Sequence, residues 1–173
     1  MRVEPACVLE NHACSGIRML GMNITEALVA EHAVLLQLFD HVESELMGIA
    51  SLESLQLLAR IIERLLHSHG EAEEDLVLCA LDHSLEDQGR RERFHQEHQE
   101  LDDRFKQVQT TTDLETGRRL FYGALQASRK HFRFEEESLF PFASRVLGKD
   151  ILLELGQFRA LAQAEVESDG VTR

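Results

Sequence analysis

His131-Phe-Arg-Phe-Glu135 is the stretch on which the fold turns. A His and a Glu four residues apart stand one above the other on a helix face, so both can point inward at one object. The arrangement occurs a second time as His69-Gly-Glu-Ala-Glu73. Each copy is followed by another acid, Glu136 or Glu74, and each is preceded upstream by a Glu-His dipeptide, Glu97-His98 or Glu31-His32. The upstream His is separated from its partner by 37 residues in one copy (32 to 69) and 33 in the other (98 to 131). The chain thus reads as one unit written twice: His, then His-x-x-x-Glu. Four histidines and two carboxylates, all inward-facing, form a ligand set for two metal ions.

Working outward, the apolar residues around these positions recur at helical spacing. Asn23, with Glu26 three residues on, makes a capping box for a first helix. Its seam is Leu28, His32, Leu35, Phe39, Val42 and Leu46, and Gly48 is a stop signal. Ser51 caps a second helix, with the seam Leu55, Leu58, Ile62, Leu65, His69, Glu73 or Ala72, Leu76 and Ala80. His67 and Glu71 share the His-x-x-x-Glu spacing, but His67 lies about 160° from His69 around the helix, so that pair is assigned to the solvated face. A polar turn follows from Asp82 to Gly89. The third helix runs from about Gly89 to Gln109 on Phe94, His98, Leu101, Phe105 and Val108, with His95 beside the seam. Thr112-Asp-Leu-Glu115 reads as a capping box for the fourth, whose seam is Leu120, Ala124, Ala127 or Ser128, His131, Glu135, and Ser138 or Leu139. Asp150 caps a short last helix with an apolar face of Ile151, Leu152, Leu155, Phe158 and Leu161.

Short connections between four such helices predict an all-α, up-down-up-down four-helix bundle over residues 23–147. Residues 148–173 add a short C-terminal helix and tail that covers a flank or pairs two copies as a homodimer. Residues 1–22 carry no clear period and no continuous apolar run, and form an irregular N-terminal arm rather than a secretory signal. Cys7, His12 and Cys14 on that arm have no standard metal-site spacing.

Composition narrows the function. The formal net charge of −13 argues against nucleic acid, which needs a basic face, and against an anionic membrane surface. The longest apolar runs are too short to span a bilayer. Three cysteines without framework spacing point to a reducing, cytoplasmic setting. Nine histidines are many for 173 residues, and six ionisable side chains lie on helix seams where apolar ones belong. Separate hydrogen-bond partners for all six would demand a fully satisfied buried network, whereas a metal pair satisfies them together.

The ferritin-like di-metal bundle uses Glu-x-x-His on two helices, and here only Glu92-x-x-His95 fits. The order His before Glu, with lone histidines at 32 and 98, instead resembles the hemerythrin-like family, the HHE cation-binding domain. The residues that carry this resemblance are Glu31-His32, His69-x-x-x-Glu73-Glu74, Glu97-His98, His131-x-x-x-Glu135-Glu136 and Leu139-Phe140-Pro141. The resemblance implies a non-haem centre of two iron ions, oxo- or hydroxo-bridged, with manganese or zinc as alternatives. His32, His69, His98 and His131 would be terminal ligands, and Glu73 and Glu135 would bridge. Oxygen-carrying members have a fifth histidine one turn before the position of His98, where this chain has Phe94; His95 is the nearest substitute.

Three functions fit: a metal-binding protein rather than a dedicated enzyme that binds or reacts with dioxygen, peroxide or nitric oxide; a metal- or redox-responsive sensor module; or an iron reservoir without turnover.

Overall fold

The computed structural model describes residues 21–81 and 88–170, with side chains described over 21–81 and 92–164. The expected N-terminal arm, with Cys7, His12 and Cys14, and most of the polar turn after Asp82 lie outside the described residues. All described elements are helical. They are α1 (Ile24–Glu45), α2 (Leu52–Ala72), α3 (Gln88–Thr110), α4 (Leu114–Phe134), α5 (Phe140–Val146) and α6 (Gly148–Gly170), with a short α-helical segment, Cys79–Leu81, between α2 and α3. A 3₁₀ turn, Leu46–Gly48, closes α1. None of the described helices is long and apolar enough to cross a membrane.

The starts follow local chemistry. Asn23 accepts from the backbone N–H of Glu26 while Glu26 accepts from that of Asn23, a reciprocal capping box. Ser51 caps α2 by accepting from Ser54. In α4 the cap is Asp113, which accepts from Thr116 N–H at 2.8 Å, not Thr112 as the capping-box reading has it. Asp113 is the residue in extended conformation, and its carboxylate also complements the helix dipole. Gln56 donates to the carbonyls of Val108, Gln109 and Thr111, satisfying the otherwise unpaired C-terminal end of α3. Gly148, at φ +72°, takes the left-handed conformation that ends α5 and lets α6 begin.

Two π-helical turns interrupt the bundle, Glu73–Leu78 after α2 and Glu135–Leu139 after α4. Both begin on a carboxylate of the repeated unit. Each turn takes one extra residue, so the inward face slips by one position. The expected seam residues Leu76 and Ala80 are therefore only half-buried, and Val77, Leu78 and Leu81 face the core instead. After Glu135 the same slip exposes Ser138 and buries Phe140. Pro141 lies in the first turn of α5, where a missing N–H costs little. Leu65, expected on the α2 seam, is exposed, and Ala59 is buried in the core beside Ile62.

Two apolar clusters flank a polar middle. One gathers Leu35, Phe39, Leu55, Ile62, Phe105, Phe121 and Phe132, among others. The second joins Ile24, Leu28, Val77, Leu81, Phe140, Ala143 and Leu152. The seam histidines and glutamates lie between them. Helix α6 spans 23 residues, longer than the short helix expected, and packs along α1. Part of the predicted apolar face packs inward, Leu152 buried and Leu155 half-buried against the second cluster, while Ile151, Phe158 and Leu161 are exposed. From Leu152 the inward face continues through Gly156, Arg159 and Gln163, spaced 4-3-4. Gly156 sets this docking, because a Cβ there would come within 2.2 Å of the Met22 carbonyl oxygen.

Candidate metal centre

Helices α1 to α4 each deliver one histidine to a common point, and the two π turns deliver the carboxylates. His69 and Glu73 are one turn apart, as are His131 and Glu135, with imidazole-to-carboxylate distances of 3.3 and 2.8 Å. His32 enters from α1, with Nε2 2.8 Å from His69 Nε2, 3.3 Å from Glu135 and 3.8 Å from Glu73. His98 enters from α3, 3.6 Å from Glu73 and 3.9 Å from Glu135. The donors fall into two groups, His32–His69–Glu73–Glu135 and His98–His131–Glu73–Glu135, each with its ligand atoms within 4.8 Å of one another. The two groups share both carboxylates. All six residues read from the sequence as ligand candidates are thus brought together.

Glu73 and Glu135 are 0 % exposed, and all four of their side-chain oxygens, with His131 Nε2, lack a hydrogen-bond partner of proper geometry. Leaving one such group unsatisfied costs about 1–3 kcal/mol, more when it is charged. Orphaned oxygens converging with four imidazole nitrogens are the donor set that a transition-metal cation satisfies, so the residues present fit such an ion.

The outward edges of the imidazoles show a second order. Each Nδ1 faces a carboxylate: His32 faces Glu136 at 2.8 Å, His69 faces Glu31 at 2.8 Å, His131 faces Glu97 at 3.3 Å and His98 faces Glu74 at 3.5 Å. A carboxylate can only accept, so each Nδ1 carries the proton and each Nε2 lone pair turns inward. Such outer carboxylates fix ring orientation and raise ligand basicity. They are the four acids adjacent in sequence to ligand candidates. Sequence reading marked them as part of the repeat but missed their role. Glu31 and Glu97 serve histidines of their own copy, while Glu74 and Glu136 reach across to the other.

Electrostatics agree with a site built for positive charge. Burial disfavours charge on His69, but the attraction of Glu73 and the hydrogen bond to Glu31 outweigh it and raise its pKa to about 10. Burial disfavours charge on His32 likewise, but the carboxylates of Glu135 and Glu73 beside it outweigh this and raise it to about 9. His131 rises against its burial through Glu135. Burial would raise Glu73, yet the attraction of His69 and of the other imidazoles close by holds it well below the usual carboxylate range. Glu31 is pulled down to about 2 despite its burial, by hydrogen bonds from His69 and Arg159.

Aromatic rings close the site. Phe132 stacks on His32 at 4.0 Å between centroids, and Phe140 lies 5.6 Å away. Phe94 is buried, its ring 4.5 Å from His98 and 5.5 Å from His131. A cleft of about 160 Å³ approaches His69, His98 and His131 from between α2 and α3, over Gly70. His95 stands outside both donor groups, more than half exposed and 3.1 Å from Glu74. His67 and Glu71 pair with each other in solvent at 3.4 Å, as their position off the seam predicts.

Helices surrounding a buried pair of His₂Glu₂ groups with shared carboxylates define a cation-binding helical bundle. The family model described as Hemerythrin HHE cation binding domain matches residues 23–143, and the chain belongs to that family. Neither a search of curated proteins nor one of solved structures returns a match. The family match ends within α5, so α6 lies beyond it.

Proposed function

We propose that the chain is a non-haem di-iron protein that binds or reacts with dioxygen, peroxide or nitric oxide, on an up-down-up-down bundle spanning 23–147. His32 and His69 would hold one ion, His98 and His131 the other, with Glu73 and Glu135 spanning both. The observation that carries this reading is the set of four buried carboxylate oxygens without hydrogen-bond partners, set between two imidazole pairs. Mixed imidazole and carboxylate donors suit iron, and manganese or zinc share the preference in part. A di-iron pair, when bound, supplies electrons to a small oxidant.

The chain's own residues do the rest. Glu31, Glu74, Glu97 and Glu136 hold the Nδ1 protons and so aim the Nε2 lone pairs. Phe132, Phe140 and Phe94 exclude water from the imidazole faces. Phe94 offers no lone pair, which favours reaction over reversible carriage. Three cysteines without framework spacing support a cytoplasmic setting. The exposed Ile151, Phe158 and Leu161 support a homodimer through α6. A sensor reading has one specific observation behind it, the contact of α6 with Glu31 beside the site.

The test is anaerobic reconstitution with ferrous iron, followed by optical spectra before and after oxygen and nitric oxide. The reading expects ligand-to-metal absorption to develop with each gas. Spectra unchanged by both would leave the metal-responsive sensor and the reservoir.

A further inference from the structure

Of the four outer carboxylates, Glu31 is held differently from the rest. Arg159 Nε donates to Glu31 Oε1 and Arg159 Nη2 to Oε2, both at 2.9 Å, a two-pronged fork. Gln163 Nε2 adds a third bond to Oε1 at 2.9 Å. All three donors come from α6. The Glu31 and Arg159 side chains are 14 % and 13 % exposed. By contrast, Glu74 and Glu136 are more than a third exposed, and Glu97 pairs with Arg93 of its own helix, an arginine that is two-thirds exposed. Among the described residues, Glu31 is thus the outer carboxylate clamped by a two-pronged cation from a further helix, whereas Glu74 is met by the exposed His95 of α3.

The register of α6 supports this as a built contact. Gly156 lets α6 approach the start of α1 so closely that no side chain would fit, and Arg159 and Gln163 follow at three and seven residues on the same face. Leu152, one turn earlier, enters the second apolar cluster. A face with a Gly and two polar residues gives up apolar burial, and what it gains is the grip on Glu31.

We propose that Arg159 and Gln163 are positioning residues of the metal centre: they fix Glu31 as the acceptor of the His69 Nδ1 proton and so hold the His69 Nε2 lone pair on the ion position shared with His32. This rests on the reading that His69 is a metal ligand. A helix beyond the family match thereby becomes part of the centre, and the two ion positions become unequal. A carboxylate clamped by a guanidinium cannot swing with its histidine, so the His32–His69 position is the more rigid of the two. By reciprocity, an ion held there steadies the docking of α6.

The experiment titrates cobalt(II) into the full chain and into Arg159→Ala, Arg159→Lys, Gln163→Ala and Arg93→Ala, following the cobalt optical spectrum and metal content. In parallel, amide exchange of α6 is measured in the wild type with and without cobalt. Arg159→Ala should weaken one of two cobalt sites about 10- to 100-fold and leave the other. Arg159→Lys, which keeps the charge but not the fork, guards against a folding failure and should weaken the same site by less. Arg93→Ala, on the exposed side, should have the smallest effect. Cobalt should slow α6 exchange in the wild type. Wild-type affinities at both sites in the Arg159 variants would overturn the proposal even if α6 loosened, and so would α6 exchange indifferent to cobalt. A wild type that binds no cobalt would fail the metal reading itself, and the proposal with it.

Discussion

The Nε2 atoms of His32 and His69 stand 2.8 Å apart, while both rings turn Nδ1 outward to Glu136 and Glu31. Two lone pairs do not face each other at that distance without positive charge between them. In the metal-free protein that charge is a proton, in accord with the raised pKa values of about 9 and 10.

Metal uptake must therefore expel protons. Because the folded pKa values lie above the ordinary 6.5, the charged imidazoles contribute stability that is full below about pH 6.5 and is lost as pH rises through about 9 to 10. The metal-free protein should lose thermal stability over that window, and apparent metal affinity should rise with pH across it. Calorimetric titrations at pH 7 in buffers of different ionisation enthalpy should show proton release on binding. The same heat in every buffer would contradict this account.

Glu73 and Glu135 each belong to both donor groups. Replacing either with Ala should weaken both ion positions together, by more than the roughly 100-fold upper figure for an outer partner. His67→Ala and His41→Ala, both at exposed positions, should leave metal content unchanged. Elemental analysis after reconstitution checks the set, and equal losses from His67→Ala and His69→Ala would refute the assigned register.

Phe94 packs on His98 and His131 at the position for which the resemblance to oxygen-carrying members implies a fifth histidine. The reduced protein should consume oxygen without returning it. After oxygen is added and then removed under argon, the spectrum should stay oxidised until a reductant is supplied. Repeated recovery of the reduced spectrum under argon alone would make the protein a carrier and Phe94 irrelevant.

Gly70 lies against the His98 ring: a Cβ would come within 3.2 Å of Cε1. Ala is favoured over Gly inside a helix by about 1 kcal/mol, so Gly70→Ala should change the stability of the metal-free protein by no more than about that amount. The displaced His98 should weaken its own ion position roughly tenfold, an amount equal to about 1.4 kcal/mol. Thermal melts and metal titration separate the two effects. Unchanged affinity would mean that His98 has room to yield.

Much of the site was legible because ionisable residues interrupt apolar seams. His32, His69, Glu73, His98, His131 and Glu135 are conspicuous for that reason, and Asn23 and Ser51 announce their helices through side-chain chemistry. What was not legible depends on distant contacts. The π turns after Glu73 and Glu135 carry no local signature, so Leu76 and Ala80 were read one position away from Val77 and Leu81. Thr112 and Asp113 are both capping residues, and only backbone conformation separates them. On α6 the count of apolar residues favours Ile151, Phe158 and Leu161, whereas the packed face is chosen by Gly156 against Met22 and by Arg159 against Glu31. The cross-pairing of Glu74 with His98 and Glu136 with His32 exists only once the helices meet.

The central claim is that two ions share Glu73 and Glu135 between two imidazole pairs. Anomalous diffraction at the iron edge, from crystals of the ferrous-reconstituted protein, tests it most directly. The account predicts two peaks per chain, one beside His32 and His69, the other beside His98 and His131, with both carboxylates reaching each. A single peak, or peaks at the solvent-facing His67 and His95, would contradict it.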